Sequence, residues 1–280
     1  MSTAPDQDYS IGDPRPAESQ ADNSHSVLIP CSLESFEYQL EPYFGCGHQC
    51  LYCYALCRAG GQWESRVKPY ADMPARLQAA IAGLEPQAIY MGLYCDPYQP
   101  AEAEEGQTRQ ALRILGEAGF SASILTKSDL VMRDLDLLAD MPEASVGVSL
   151  GFSDDRLRRE LEEDAPTNER RIAALKAAKA AGLITSVLIC PVLPFLSDLK
   201  ALLQSLEDSA DFVWIYPLAM NNQIDPNWQN VWRVVSVRYP DLAAEFKQAV
   251  FDRDHAYWQE QRSIAGEMEK NSRAQYRIRL

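Results

Sequence analysis

Four of the chain's seven cysteines fall within twelve residues, in the stretch YFGCGHQCLYCYALCR (43–58). Thiols crowded in this way have three chemical uses: a disulfide knot, a structural zinc site or an iron–sulfur cluster. Cys46, Cys50 and Cys53 follow the spacing C-x3-C-x2-C, with Tyr52 just before the third thiol and Cys57 four residues beyond it. Structural zinc usually takes two ligand pairs well separated in sequence. Here the thiols share one loop and no second C-x-x-C or H-x3-5-H follows, so Cys57 or His48 would have to complete a tetrahedral set locally. Three thiolates in a glycine-bearing loop suit a four-iron cluster that leaves one iron open to a substrate or cofactor. Both metal readings stand on spacing alone.

The disulfide reading falls on context. The N-terminal stretch MSTAPDQDYSIGDPRPAESQADNSHS is polar, rich in Pro, Ser and Asp, and has no apolar core of a secretory signal. It reads as a disordered lead-in, and the chain is expected in the cytoplasm, where thiols stay reduced. An odd cysteine count agrees. The longest apolar run, VLICPVLPFL (187–196), is short and broken by two prolines, so no membrane span is expected. The 280 residues carry a net charge of −14 and a 46% hydrophobic composition. That balance supports a sizeable core and argues against a polyanionic partner such as nucleic acid. The closing RAQYRIRL, with three arginines and no acid, reads as a frayed, soluble end rather than a phosphate contact.

The elements that would position the thiols come from an alternation of short β-prone runs with longer helical ones. Candidate strands are residues 38–44, 88–93, 121–126, 144–150, 183–190 and 211–216. Between them lie amphipathic stretches such as MPARLQAAIAGL, QTRQALRILGEAG, SDLVMRDLDLLADM and NERRIAALKAAKAAG, the last closed by Gly182 as a C-cap. Such spacing predicts parallel strands joined by right-handed crossovers, an α/β partial (β/α)6 barrel. After about Ile224 the β-runs cease, and Trp228, Trp232, Tyr257 and Trp258 read as core packing of a helical extension. The expected organisation is a disordered or extended lead-in over 1–35, the partial barrel over 36–222 and the helical extension over 223–280.

In such folds chemistry sits in loops after the C-terminal ends of strands. The cysteine loop follows the first candidate strand, YCDPYQP (94–100) the second, and Lys127 closes the third. Ser149 ends the fourth, Cys190 the fifth and Tyr216 the sixth. Polar and sulfur-bearing residues therefore share one rim.

On this pattern the chain resembles the radical S-adenosylmethionine (SAM) superfamily, and within it the spore photoproduct lyase-like, or DNA repair photolyase-like, branch. The resemblance is carried by PYFGCGHQCLYCYA, CDPYQPAE, QTRQALRIL, LTKSDLVMRDLDLL, VGVSL, LEEDAPTNERRIAALKAAKAAGL and ICPVLPFLSD, from about Glu41 to Asp198. It implies that Cys46, Cys50 and Cys53 ligate a [4Fe–4S] cluster whose fourth iron is chelated by SAM. It implies further that Tyr52 packs near the adenine, that Lys127 and Ser149 contact SAM, and that Asp96 belongs to the cofactor side. The implied activity is reductive cleavage of SAM to a 5′-deoxyadenosyl radical, which takes hydrogen from a substrate at the barrel mouth. An electron donor such as flavodoxin or ferredoxin would be needed.

Three departures fall on the substrate side. Tyr70 stands where this branch has asparagine, in VKPYA; Cys95 replaces threonine in CDPY; and Leu161, Glu162 and Glu163 replace Leu-Glu-Pro. Cys95 shares a loop with the lyase's hydrogen-donating cysteine by region only, so a donor stands beside a buried small residue. Cys57 and Cys190 read as packing, Cys31 as inert, and His48 as a donor that stabilises its loop. The leading expectation is a radical SAM enzyme acting on a small molecule or peptide. The alternatives are repair of a DNA lesion and a zinc-stabilised binding module.

Overall fold

The computed structural model describes residues 26–57, 67–206, 208–218, 220 and 222–280. In the first half lie β1 (Leu28–Pro30), β2 (Tyr38–Leu40), β3 (Tyr43–Phe44), β4 (Lys68–Pro69), α1 (Met73–Ile81), β5 (Ala88–Met91), α2 (Glu102–Glu105), α3 (Gln107–Glu117), β6 (Ser121–Thr126) and α4 (Leu135–Ala139). The rest comprises β7 (Ser145–Leu150), α5 (Asp155–Leu161), α6 (Asn168–Ala180), β8 (Ile184–Val192), α7 (Leu199–Leu206), β9 (Phe212–Pro217), α8 (Pro226–Arg238), α9 (Pro240–Phe251), α10 (Ala256–Lys270) and β10 (Gln275–Ile278).

Eight strands form one sheet in the order β1-β2-β5-β6-β7-β8-β9-β10, parallel throughout except for β1, which runs antiparallel to β2. The end strands do not pair with each other, so the sheet is open rather than a closed barrel. All six expected strands are present. The first is shorter than the run 38–44, because the chain leaves the sheet after Leu40 and Tyr43–Phe44 pairs instead with Lys68–Pro69.

Period-two alternation sorts the side chains. Ala122, Ile124, Val146, Val148, Leu150, Val187, Ile189, Val213 and Ile215 lie in the apolar layer under the helices. The other face carries small and polar residues, among them Ser123 and Ser145, whose hydroxyls bond at 2.8 Å. There β7 and β8 come so close that a Cβ on Gly147 would stand 2.5 Å from Ser186 Oγ.

Thr167 caps the start of α6 by accepting from Arg170 N, and Gly182 follows its end at φ 83°. SDLVMRDLDLLADM divides into a 3-10 turn over Asp129–Asp134 and the short α4.

Two expectations need correction. Residues 26–35 of the lead-in are structured: they supply β1, and Leu33 packs with Phe36 against Tyr90; residues 1–25 lie outside the described residues. The tail RAQYRIRL is not a frayed end. Its Tyr276, Ile278 and Leu280 pack on the apolar layer while β10 adds to β9 as a further parallel strand. In the helical part before it, Trp228, Tyr257 and Trp258 are buried and Trp232 stacks on Trp228 at 5.4 Å.

Candidate active site

The cysteine loop leaves β3 at the C-terminal edge of the parallel strands and is braced from two segments, the loop after β5 and the stretch from the end of α5. Gln99, fully buried in the loop after β5, accepts from Gly47 N at 2.7 Å and donates to Gly45 O at 3.0 Å, flanking Cys46. Asp96, in the same loop, lies 3.2 Å from His48 Nε2, while His48 Nδ1 is 3.3 Å from Asp164 O. Leu51 N donates to Leu161 O at 2.9 Å. The Tyr52 hydroxyl donates to Glu162, and its ring lies 6.0 Å from that of Phe152.

Asp96 knots the strand ends together. One carboxylate oxygen accepts from Tyr98 N (2.9 Å) and Thr126 Oγ1 (2.6 Å), and the other accepts from Lys127 N (2.7 Å) beside the His48 contact. Burial alone would raise this carboxyl. His48 and the donors around it prevail, holding it down to about 2. Lys127 is half-buried at the end of β6, with Nζ 5.9 Å from the Tyr52 ring centroid. Burial disfavours its charge, but a thiolate at Cys50 and the Glu162 carboxylate outweigh that and hold the ammonium above the ordinary lysine range. Asp129, two residues further on, pairs with Arg170 at 2.8 Å. Ser149 is buried on β7, and its carbonyl accepts from Arg171 Nη1 at 2.8 Å.

Cys95 is brought near the loop but faces away from solvent, 1% exposed, packed with Tyr43, Ala55 and Leu56. Its backbone N donates to Glu41 Oε2 at 2.9 Å. Glu41 also accepts from Tyr94 N (3.1 Å) and Gln39 Nε2 (2.9 Å). Burial lifts Glu41 to about 7, and burial with this acid beside it keeps the Cys95 thiol far above its usual range. Cys190, half-buried near the end of β8, feels the charges of Lys127 and Cys53, and burial pushes it up to about 11. Cys57 is exposed rather than buried, its thiol 3.3 Å from Asn227 Oδ1 on α8.

Glu41, Gln99, Arg158 and Arg171 were not singled out as site residues from the sequence. Gln99 and Glu41 bond to groups more than fifty residues away, and Arg158 and Arg171 bond mainly to carbonyls and a carboxylate of the nearby 162–166 stretch; no spacing marks any of them. Only their place within the resembling segments could have pointed to Gln99 and Arg171.

The donor set can be tested against a cofactor. Cys46, Cys50 and Cys53 are free thiols in one loop, each pushed up to about 12, chiefly by burial. Such thiols load by giving up their protons to a metal, and the Lys127 ammonium beside Cys50 offsets the charge that results. Among the described residues no group of three or more His, Cys, Asp or Glu side chains stands where it could hold a single metal ion; an iron–sulfur cluster takes cysteine thiolates, the donor type this loop carries. The residues fit an iron–sulfur cluster.

Fold and site together define an α/β enzyme scaffold with a thiol-bearing loop at the strand ends. The model of the radical SAM superfamily matches residues 40–206, well over half of the sequence, and the chain belongs to that superfamily. An uncharacterized protein of Methanocaldococcus jannaschii is 29% identical over 220 residues, 75% of this chain and 83% of the relative. One from Mycobacterium tuberculosis is 32% identical over 194 residues, 62% of this chain; the match spans 57% of the relative's length. A spore photoproduct lyase double mutant with bound AdoMet and dinucleoside spore photoproduct superposes with a TM-score of 0.64 at 16% identity, covering 90% of this chain and 78% of that one. Streptococcus suis SuiB bound to precursor peptide SuiA gives 0.52 at 16% identity, covering 86% and 49%. These structural likenesses are likenesses of fold. Among the described residues no helix is long and apolar enough to cross a membrane.

Proposed function

We propose that this chain is a cytoplasmic radical SAM enzyme that takes a hydrogen atom from a small molecule or peptide. Cys46, Cys50 and Cys53 hold a [4Fe–4S] cluster in this reading. When bound, the cluster and SAM supply reductive cleavage to a 5′-deoxyadenosyl radical, with electrons from a flavodoxin- or ferredoxin-type donor. The rest falls to the chain's own side chains. Lys127 offers its ammonium to the SAM carboxylate and Ser149 its hydroxyl to the ribose or amino group. Tyr52 presents a ring edge to the adenine, held in place through its hydroxyl. Asp96 serves the cofactor indirectly, aligning the Lys127 backbone with His48 in the cysteine loop. For Cys95 the contact with Glu41 favours packing over hydrogen donation, because a donor thiol must reach the substrate radical.

The observation that carries this reading is the C-x3-C-x2-C loop, with three free thiols at the strand ends beside Lys127. The acidic balance of the chain supports a small or peptidic substrate over DNA, and SuiB offers a fold-level precedent for a peptide. Alanine at Cys46, Cys50 or Cys53 should abolish iron and sulfide binding in anaerobically reconstituted protein, since an incomplete thiolate set cannot hold the cube. About one zinc per chain in the wild type, with no iron, would favour the zinc-stabilised module instead.

A further inference from the structure

The last residue of α5 and the segment that follows it grip the cysteine loop at residues interleaved with the thiols. Asp164 O lies 3.3 Å from His48 Nδ1, between Cys46 and Cys50 in sequence. Leu161 O accepts from Leu51 N at 2.9 Å, and Glu162 accepts from the Tyr52 hydroxyl, both between Cys50 and Cys53.

Two buried arginines fix this segment in turn. Arg158 Nη1 donates to Glu162 O (3.2 Å) and Ala165 O (2.5 Å). Arg171 donates to Pro166 O (2.8 Å), to Ser149 O on β7 (2.8 Å) and to Glu162 Oε2 (2.5 Å). Glu162 and Arg171 are each fully shielded from solvent.

A buried ion pair is a poor way to gain stability, because desolvating two charges offsets most of their attraction; its best-attested use is to specify one geometry. Here the geometry specified is that of the loop bearing the thiols. We infer that Glu162 is a positioning residue for the cysteine loop: it locks Tyr52 from one oxygen and, through Arg171 on the other, ties the loop to Ser149 on β7. The same carboxylate, buried and paired with the Arg171 guanidinium, puts its charge against Tyr52, the residue before Cys53. This rests on the three thiols being cluster ligands, and it assigns Glu162, which departs from its branch only in the residue that follows, to the cofactor side.

The test uses two variants in reconstituted full-length protein. Tyr52→Phe leaves the Glu162–Arg171 pair intact and removes only its bond to the loop. Glu162→Gln keeps the shape and an acceptor but removes the charge. Iron content, the electron paramagnetic resonance spectrum of the reduced cluster with and without SAM, SAM affinity and midpoint potential are read in each.

Tyr52→Phe is expected to keep wild-type iron, to change the spectrum and to weaken SAM binding by about fivefold to tenfold, one hydrogen bond's worth. Glu162→Gln is expected to raise the midpoint potential, since losing a nearby negative charge favours the more negative reduced cluster. A Tyr52→Phe protein with wild-type spectrum and SAM affinity would overturn the inference, whether or not Glu162→Gln folds. An unmoved potential in folded Glu162→Gln would overturn its electrostatic half. Wild-type protein without iron would instead refute the underlying reading, and the iron assay separates that case from the others.

Discussion

Lys127 reaches the cysteine loop from the end of β6, its Nζ 5.9 Å from the Tyr52 ring centroid, and in the proposed function its cation receives the SAM carboxylate. Removing it as Lys127→Ala should leave iron content unchanged and cost about 1.5–3 kcal/mol of SAM affinity, the range of a charge-assisted hydrogen bond. Equilibrium dialysis with labelled SAM measures this, and an unchanged affinity would remove Lys127 from the site. Glu41 carries a different consequence. Burial raises it from 4.5 to about 7, so the folded chain binds its proton more tightly than the unfolded chain does. Its contribution is therefore fully present below about pH 4.5 and is lost as the pH rises toward 7, on the order of 3 kcal/mol in all. Glu41→Gln should flatten that stretch of the thermal-stability profile, at the cost of one hydrogen bond, because Tyr94 N and Cys95 N bond different carboxylate oxygens and glutamine offers a single acceptor. A variant that loses stability between those pH values as steeply as the wild type would show that another group is responsible.

The elements show what a sequence makes legible and what it hides. The thiols could be found because their spacing is local, and the inner strands because alternation and turn residues mark them. β10 carried the same alternation in Tyr276, Ile278 and Leu280, but the interleaved Arg277 and Arg279 gave the segment the look of a solvated end. The bracing of the site was not legible, because its partners meet only after folding: Gln99 and Gly45 are 54 residues apart, and Tyr52 and Glu162 are 110 apart. Strand register is equally hidden, and here it can be tested. Gly147 lies opposite Ser186 across β7 and β8, where a Cβ would stand 2.5 Å from the Ser186 hydroxyl. Gly147→Ala should destabilise the fold by about 1–3 kcal/mol through overpacking, and adding Ser186→Ala should recover most of that in urea unfolding. A neutral Gly147→Ala would mean that the two strands do not pair in this register.

At the scale of the whole molecule, an open parallel sheet gathers loops from distant parts of the chain onto one edge, and C-terminal helices packed through Trp228 and Trp258 close one flank. The net charge of −14 leaves this molecule little electrostatic reason to seek a polyanion. In the proposed function this edge cleaves SAM reductively. The direct measurement is 5′-deoxyadenosine formed when anaerobically reconstituted protein is mixed with dithionite and SAM. Slow formation without any added substrate is expected, and none from Cys50→Ala treated identically. Wild-type protein that carries its full complement of iron and sulfide yet forms no 5′-deoxyadenosine would contradict the claim.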